Sequence, residues 1–110
     1  MAKYALFFSY TQEAWANMIK NPTDRSAAAR DLAESLGGSL ESFYWMFGEH
    51  DGFAVVDMPD SVTAAAVSVA VASSGALETG ETTVLFDHDD QQAMLEQAKT
   101  ALSSYHPPSA

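Results

Sequence analysis

The stretch from Gly38 to Pro59, G-S-L-E-S-F-Y-W-M-F-G-E-H-D-G-F-A-V-V-D-M-P, constrains the fold more than any other part of the chain. It reads as a β-hairpin, with strands over Ser39 to Phe47 and Phe53 to Met58 joined by the loop G-E-H-D-G. Side chains alternate between the two faces of a strand. Alternation puts Leu40, Ser42, Tyr44 and Met46 on one face of the first strand and Phe43, Trp45 and Phe47 on the other. Neither set is polar enough to stay wet. A strand that is apolar on both faces needs a cover on each, and a small domain's own helices supply one. The second cover must come from another copy of the chain or from a ligand pocket.

The remaining elements follow from local signals. Lys3 to Tyr10 is dense in aromatic residues and forms a first strand. Its Tyr4, Leu6, Phe8 and Tyr10 oppose Ala5, Phe7 and Ser9, so it too is apolar on both sides. Thr11, with Gln12 and Glu13 behind it, caps a short helix that runs to about Lys20 and stops at Asn21-Pro22. Thr23 or Asp24 restarts a helix through Leu36, which the pair Gly37-Gly38 ends. Pro59-Asp60-Ser61 opens the next helix, V-T-A-A-A-V-S-V-A-V-A-S-S-G. Its valines alternate as in a strand, but the alanines, the cap in front and Gly75 behind favour a helix. So many small residues predict close packing on the sheet. Ala76 to Phe86 is a fourth strand, and Asp87 to Tyr105 a last helix with Met94, Leu95, Ala98, Ala101 and Leu102 along one side.

The order is strand, helix pair, strand, strand, helix, strand, helix. Up to the fourth strand this is β-α-β-β-α-β, the ferredoxin-like α+β arrangement, an antiparallel sheet with helices on one face, here with an extra C-terminal helix. Residues 1–105 form one domain, and 106–110 a flexible C-terminal tail. The 110 residues suffice for one modest core.

Charge narrows the function. With 5 basic and 15 acidic side chains the net charge is −10, which argues against nucleic acid and against anionic membrane surfaces. No cysteine is present, so thiolate metal sites and thiol nucleophiles are excluded, which fits the cytoplasm. No stretch reads as a signal peptide or a membrane span. Phosphate-cradling loops and dinucleotide fingerprints are absent as well, and no cofactor is expected.

Aromatic residues on an uncovered face predict a homo-oligomer, a two-fold dimer being the commonest closed form. The interface is either dry, or it encloses a pocket for a small, partly aromatic molecule, with Tyr4, Tyr10 and Tyr44 offering hydroxyls and Trp45 a ring. The hairpin turn adds Glu49, His50 and Asp51. An imidazole flanked by carboxylates suits a general base, His50 with Asp51 beside it and Glu49 toward a ligand; equally, the three suit a solvated turn. Asp87-His88-Asp89-Asp90 resembles a set of hard metal ligands, but consecutive residues diverge, and capping explains acids at a helix start. No metal site is assigned.

Arg30, Leu32, Ala33, Leu36, Gly37 and Gly38, then Phe43, Tyr44, Trp45, Gly48, Glu49 and Asp51, then Pro59-Asp60 before an Ala-rich helix, together resemble the GYD-domain family from about Tyr4 to about Leu95. The resemblance implies a ferredoxin-like fold of the dimeric α/β-barrel type and no assigned biochemical role. Relatives of that barrel type include cofactor-independent isomerases and monooxygenases, which keeps a His50-based enzyme beside the binding and purely structural readings. The family motif has Tyr before the Asp where this chain has His50. A role for a phenol there does not carry over.

Overall fold

The computed structural model describes residues 1–109. Its elements are β1 (Ala2–Tyr10), α1 (Gln12–Lys20), α2 (Arg25–Ser35), β2 (Ser39–Trp45), β3 (Gly52–Met58), α3 (Ser61–Ala72), β4 (Leu77–Leu85) and α4 (His88–Leu102). Their order is the one expected from the sequence. The tail residues His106 to Ser109 take no regular structure, and Ala110 lies outside the described residues.

Four antiparallel strands line up as β2-β3-β1-β4. The two halves of the chain interleave, so that β1 and β3 are central and β2 and β4 are edges. This arrangement is consistent with a ferredoxin-like fold. Helices α2 and α3 pack on one face of the sheet. Tyr4, Ala33, Val56, Met58, Ala64 and Val67 form the core there, with Met58 fully buried.

Local chemistry sets the boundaries. Thr11 Oγ1 accepts from the Ala14 N–H at 3.1 Å, Asp24 Oδ1 from the Ser26 and Ala27 N–H groups, and Asp60 Oδ1 from the Thr63 N–H at 2.8 Å. Each fills a donor that a helix start leaves unpaired. The Asp60 cap explains why the valine-rich segment after it is helical. Asp87 and Asp90 form a reciprocal capping box at the start of α4, which accounts for the acidic run there. Gly37 ends α2 with φ +83°, a left-handed conformation that costs glycine little. The next residue, Gly38, passes so close to the Asp57 carbonyl and the Met58 sulfur that no side chain fits.

The hairpin differs from strict alternation in two ways. Leu40 pairs with Val56 and Ser42 with Val55, so Glu41 is an extra residue, a β-bulge. Leu40 therefore shares the helix-covered face with Phe43 and Trp45, and it packs against the core. Tyr44 shares the open face with Ser42. In addition β2 ends at Trp45 rather than Phe47, because the Met46 N–H bonds to the Asp51 carbonyl at 2.8 Å and closes the ladder. The open face of β2 is thereby reduced to Ser42 and Tyr44, fewer apolar groups than strict alternation predicts, while Leu40, Phe43 and Trp45 lie on the covered side.

Candidate functional site: an apolar cavity under the helices

The two faces of the sheet carry different clusters. On the open face Phe7 pairs with Phe53 and Phe53 with Tyr44, and the rings make a row across three strands. Phe7–Phe53 centroids are 5.7 Å apart and Tyr44–Phe53 5.6 Å. His50 extends the row, its ring 5.5 Å from Phe7. At the other end of this face Lys3 reaches Glu41 at 2.8 Å and Asp57 at 3.2 Å. Its pKa is raised by the hydrogen bond to Glu41 first and that to Asp57 second.

On the helix-covered face Phe8, Tyr10, Trp15, Phe43 and Trp45 form one aromatic cluster, with neighbouring centroids 5.4 to 6.2 Å apart. Next to it, between the sheet and the two helices, lies a cavity of about 430 Å³. Leu6, Phe8, Ala54 and Val56 floor it, Arg25, Ala28, Ala29 and Leu32 of α2 form one wall, and Val67, Ser68, Val71 and Ala72 of α3 the other. The α2 residues follow i, i+3, i+4, i+7 spacing, one face of a helix. The small side chains of α3 were expected to draw it onto the sheet. Instead Ala28, Ala29 and Ala72 leave the space unfilled.

Arg25 lines this cavity and also a shallower hollow beside α1 with Tyr10, Ala14 and Lys20. The ion pairs among the described residues use Lys3 and His50, and the Arg25 guanidinium makes none of them. It is a half-buried cation lining a mostly apolar chamber whose β4 edge also carries Glu78 and Glu81.

The residues picked out from the sequence are distributed as follows. Tyr4 is buried beneath α3, its hydroxyl 2.9 Å from Ser61 Oγ. Tyr10 lies on the same covered face and lines both hollows. Trp45 joins the aromatic cluster on that side and is half exposed. Tyr44 is on the opposite face, so the three tyrosines do not converge on one space between sheets. Asp51 accepts from the Tyr10 N–H at 2.8 Å and from Trp15 Nε1–H at 3.1 Å, which pins the hairpin turn to the start of α1. His50 turns elsewhere. Its Nδ1 is 3.5 Å from Ser9 Oγ, and its Nε2 is 3.6 Å from Glu81. The Glu49 carbonyl accepts weakly from Ser9 Oγ, and its side chain is exposed.

The turn thus splits by function: Asp51 is engaged with backbone and indole, and His50 sits at the edge of the open face, outside both hollows. Trp15, Arg25 and the alanines of α2 escaped the sequence reading. The one signal for the cavity was the density of small residues on two helices facing a sheet of aromatic side chains. Among the described residues no three His, Asp or Glu side chains converge as a metal site requires. No helix among them is long and apolar enough to cross a membrane.

The family model of the GYD domain matches the chain over residues 4–95. No curated protein matches the chain.

Proposed function

The chain belongs to the GYD-domain family, and on that premise we propose that it is a binding protein for a small, apolar, partly aromatic molecule carrying an acidic group. The cavity under the helices carries the proposal. A chamber of about 430 Å³ lined by Leu6, Leu32, Phe43, Val56 and Val67 is of ligand size and composition.

The site differs from the one expected between two sheets. It lies within one chain, between the sheet and its own helices. Arg25 in its lining supplies the orienting charge: a guanidinium holds a carboxylate by two parallel hydrogen bonds, which a phenol or alcohol cannot reproduce. Phe8, Phe43 and Tyr10 offer ring edges and faces to an aromatic body.

Native mass spectrometry of the protein purified from its host tests for a retained ligand. A thermal-shift panel of bicyclic aromatic carboxylates and their methyl esters tests the chemistry. The acids are expected to raise the melting temperature and the esters to do so less. Arg25→Gln should weaken acid binding roughly ten- to a hundredfold, from the about 1.5–3 kcal/mol that a hydrogen bond to a charged group contributes. Ala29→Phe should abolish binding by filling the chamber. No retained species together with no shift from any compound would overturn the reading.

A further inference from the structure

We infer that the hollow beside α1 is the head-group half of the ligand site, and that the ligand is a phosphomonoester whose apolar, aromatic body lies in the chamber under the helices. The inference rests on the chamber as a ligand site and adds the chemistry of the acidic group. The two hollows are of similar size, about 430 and 440 Å³, and Tyr10 and Arg25 line both. The shared residues make them neighbours, so one molecule spans both with Arg25 between its two parts.

The linings differ in chemistry. The chamber is mostly apolar, and its β4 edge carries Glu78. The hollow is lined by Asn17, Lys20, Asn21, Thr23 and Arg25 beside a few apolar residues, and no Asp or Glu lines it. The chain has 15 acidic side chains and 5 basic ones, so a lining with two cations and no carboxylate reverses the charge of the molecule locally. An anionic head in the chamber meets a like charge at the β4 edge. In the hollow it meets only opposite charge.

Helix stability does not account for both cations. Lys20 is in the last turn of α1, where the helix dipole favours a positive charge. Arg25 is the first residue of α2, where the dipole disfavours one, and no acid stands in that turn. Neither takes part in the ion pairs among the described residues. Asn17 and Lys20 lie one turn apart on α1, and Thr23 and Arg25 flank the Asp24 cap, so both sides of the connection between α1 and α2 contribute donors to one hollow. The number and charge of these donors select a phosphate. A carboxylate carries one charge and about four lone-pair sites, of which a bidentate guanidinium takes two. A phosphomonoester carries about −1.5 to −2 at neutral pH and spreads it over three terminal oxygens. That charge and that number of acceptors match a guanidinium, an ammonium, two amides and a hydroxyl. Arginine supplies the paired bonds and lysine a point charge.

Calorimetric titration of the full-length protein with naphthyl phosphate, naphthoate and inorganic phosphate tests the assignment. The phosphate ester is expected to bind at least about tenfold more tightly than the acid at neutral pH. That margin should shrink below the phosphate's second pKa of about 6. Lys20→Gln should cut the ester's affinity about tenfold and the acid's far less, and Lys20→Arg should restore the ester. Ala29→Phe, which fills the chamber, should abolish binding of both; circular dichroism checks that each variant keeps its helices. An ester that binds no more tightly than the acid, or a Lys20→Gln protein that keeps the margin, would overturn the head-group assignment and leave the chamber reading standing. Inorganic phosphate that binds as tightly as the ester, indifferent to Ala29→Phe, would overturn the joined site and leave the hollow as a free-anion site. Failure of ester and acid alike would overturn the chamber reading and this inference with it.

Discussion

Asp51 illustrates how a residue type with catalytic promise is committed by its surroundings. Its carboxylate accepts from the Tyr10 N–H and from Trp15 Nε1–H, so it ties β1, the hairpin turn and α1 at one point. Deleting it leaves two donors without an acceptor, one of them on a half-buried backbone. Asp51→Ala is expected to lower stability by about 2 kcal/mol, the order contributed by hydrogen bonds to a charged group, and to change the emission of Trp15. Asp51→Asn, which keeps one acceptor oxygen, should lose less. Urea unfolding followed by tryptophan fluorescence measures both. Equal losses in the two variants would mean that packing, not the hydrogen bonds, sets the effect. From sequence, G-E-H-D-G offered His50 and Asp51 as neighbours in one site. Adjacent residues in a turn share no direction, and only the register against β1 reveals that one carboxylate faces Trp15 while the imidazole faces Phe7 and Ser9.

Helix starts were legible at the scale of elements because capping is local. Thr11 caps α1 where the sequence places it, Asp24 rather than Thr23 caps α2, and Asp60 and Asp87 cap α3 and α4 from within the short polar runs the sequence offers; each acts within three residues of its own position. The bulge at Glu41 was not legible, since it is fixed by which residue of β3 stands opposite. Capping has a pH consequence. The Thr63 hydroxyl, and then the Thr63 N–H, hold the Asp60 carboxyl below its ordinary range. The Ser26 hydroxyl does the same for Asp24. A carboxyl whose pKa is lower folded than unfolded binds fewer protons when folded. The stability it contributes is complete above the ordinary value of 3.8 and is lost as pH falls through the lower folded value. Thr63→Ala should move the Asp60 titration, read by NMR, up toward 3.8 and shrink the acid-induced loss of α3. Lys3 has the opposite sign. Its raised pKa gives stability that is complete below 10.5 and is lost as pH rises past its folded value, an alkaline effect separable from the first.

The whole molecule combines two surfaces that a sequence reveals unequally. Alternation in β1 and β2 suggested two apolar sides and so a cover for the open face; on that face the structure puts Phe7 and Tyr44 beside Lys3, Ser9 and Ser42. The cavity was not plain, because its volume is a difference between helix-to-sheet spacing and the summed sizes of Ala28, Ala29, Ala72 and their neighbours, which no single residue displays. Phe7 and Phe8, consecutive in β1, face the two different surfaces, so one strand serves both. Net charge bears on the expected self-association. A chain of net charge −10 opposes its own pairing, and the repulsion between exposed charges falls as the screening length shrinks from about 30 Å at 0.01 M salt to about 8 Å at 0.15 M. The row Phe7–Phe53–Tyr44 is uncharged, so salt removes repulsion without weakening an apolar attraction across that face. If the open face is covered by a second copy, as the sequence suggests, sedimentation at rising sodium chloride should show self-association tightening severalfold between about 0.01 and 0.15 M and changing little beyond. Dissociation by salt would instead mark an interface held by ion pairs such as those of Lys3, and would place the contact at that end of the face rather than along the aromatic row.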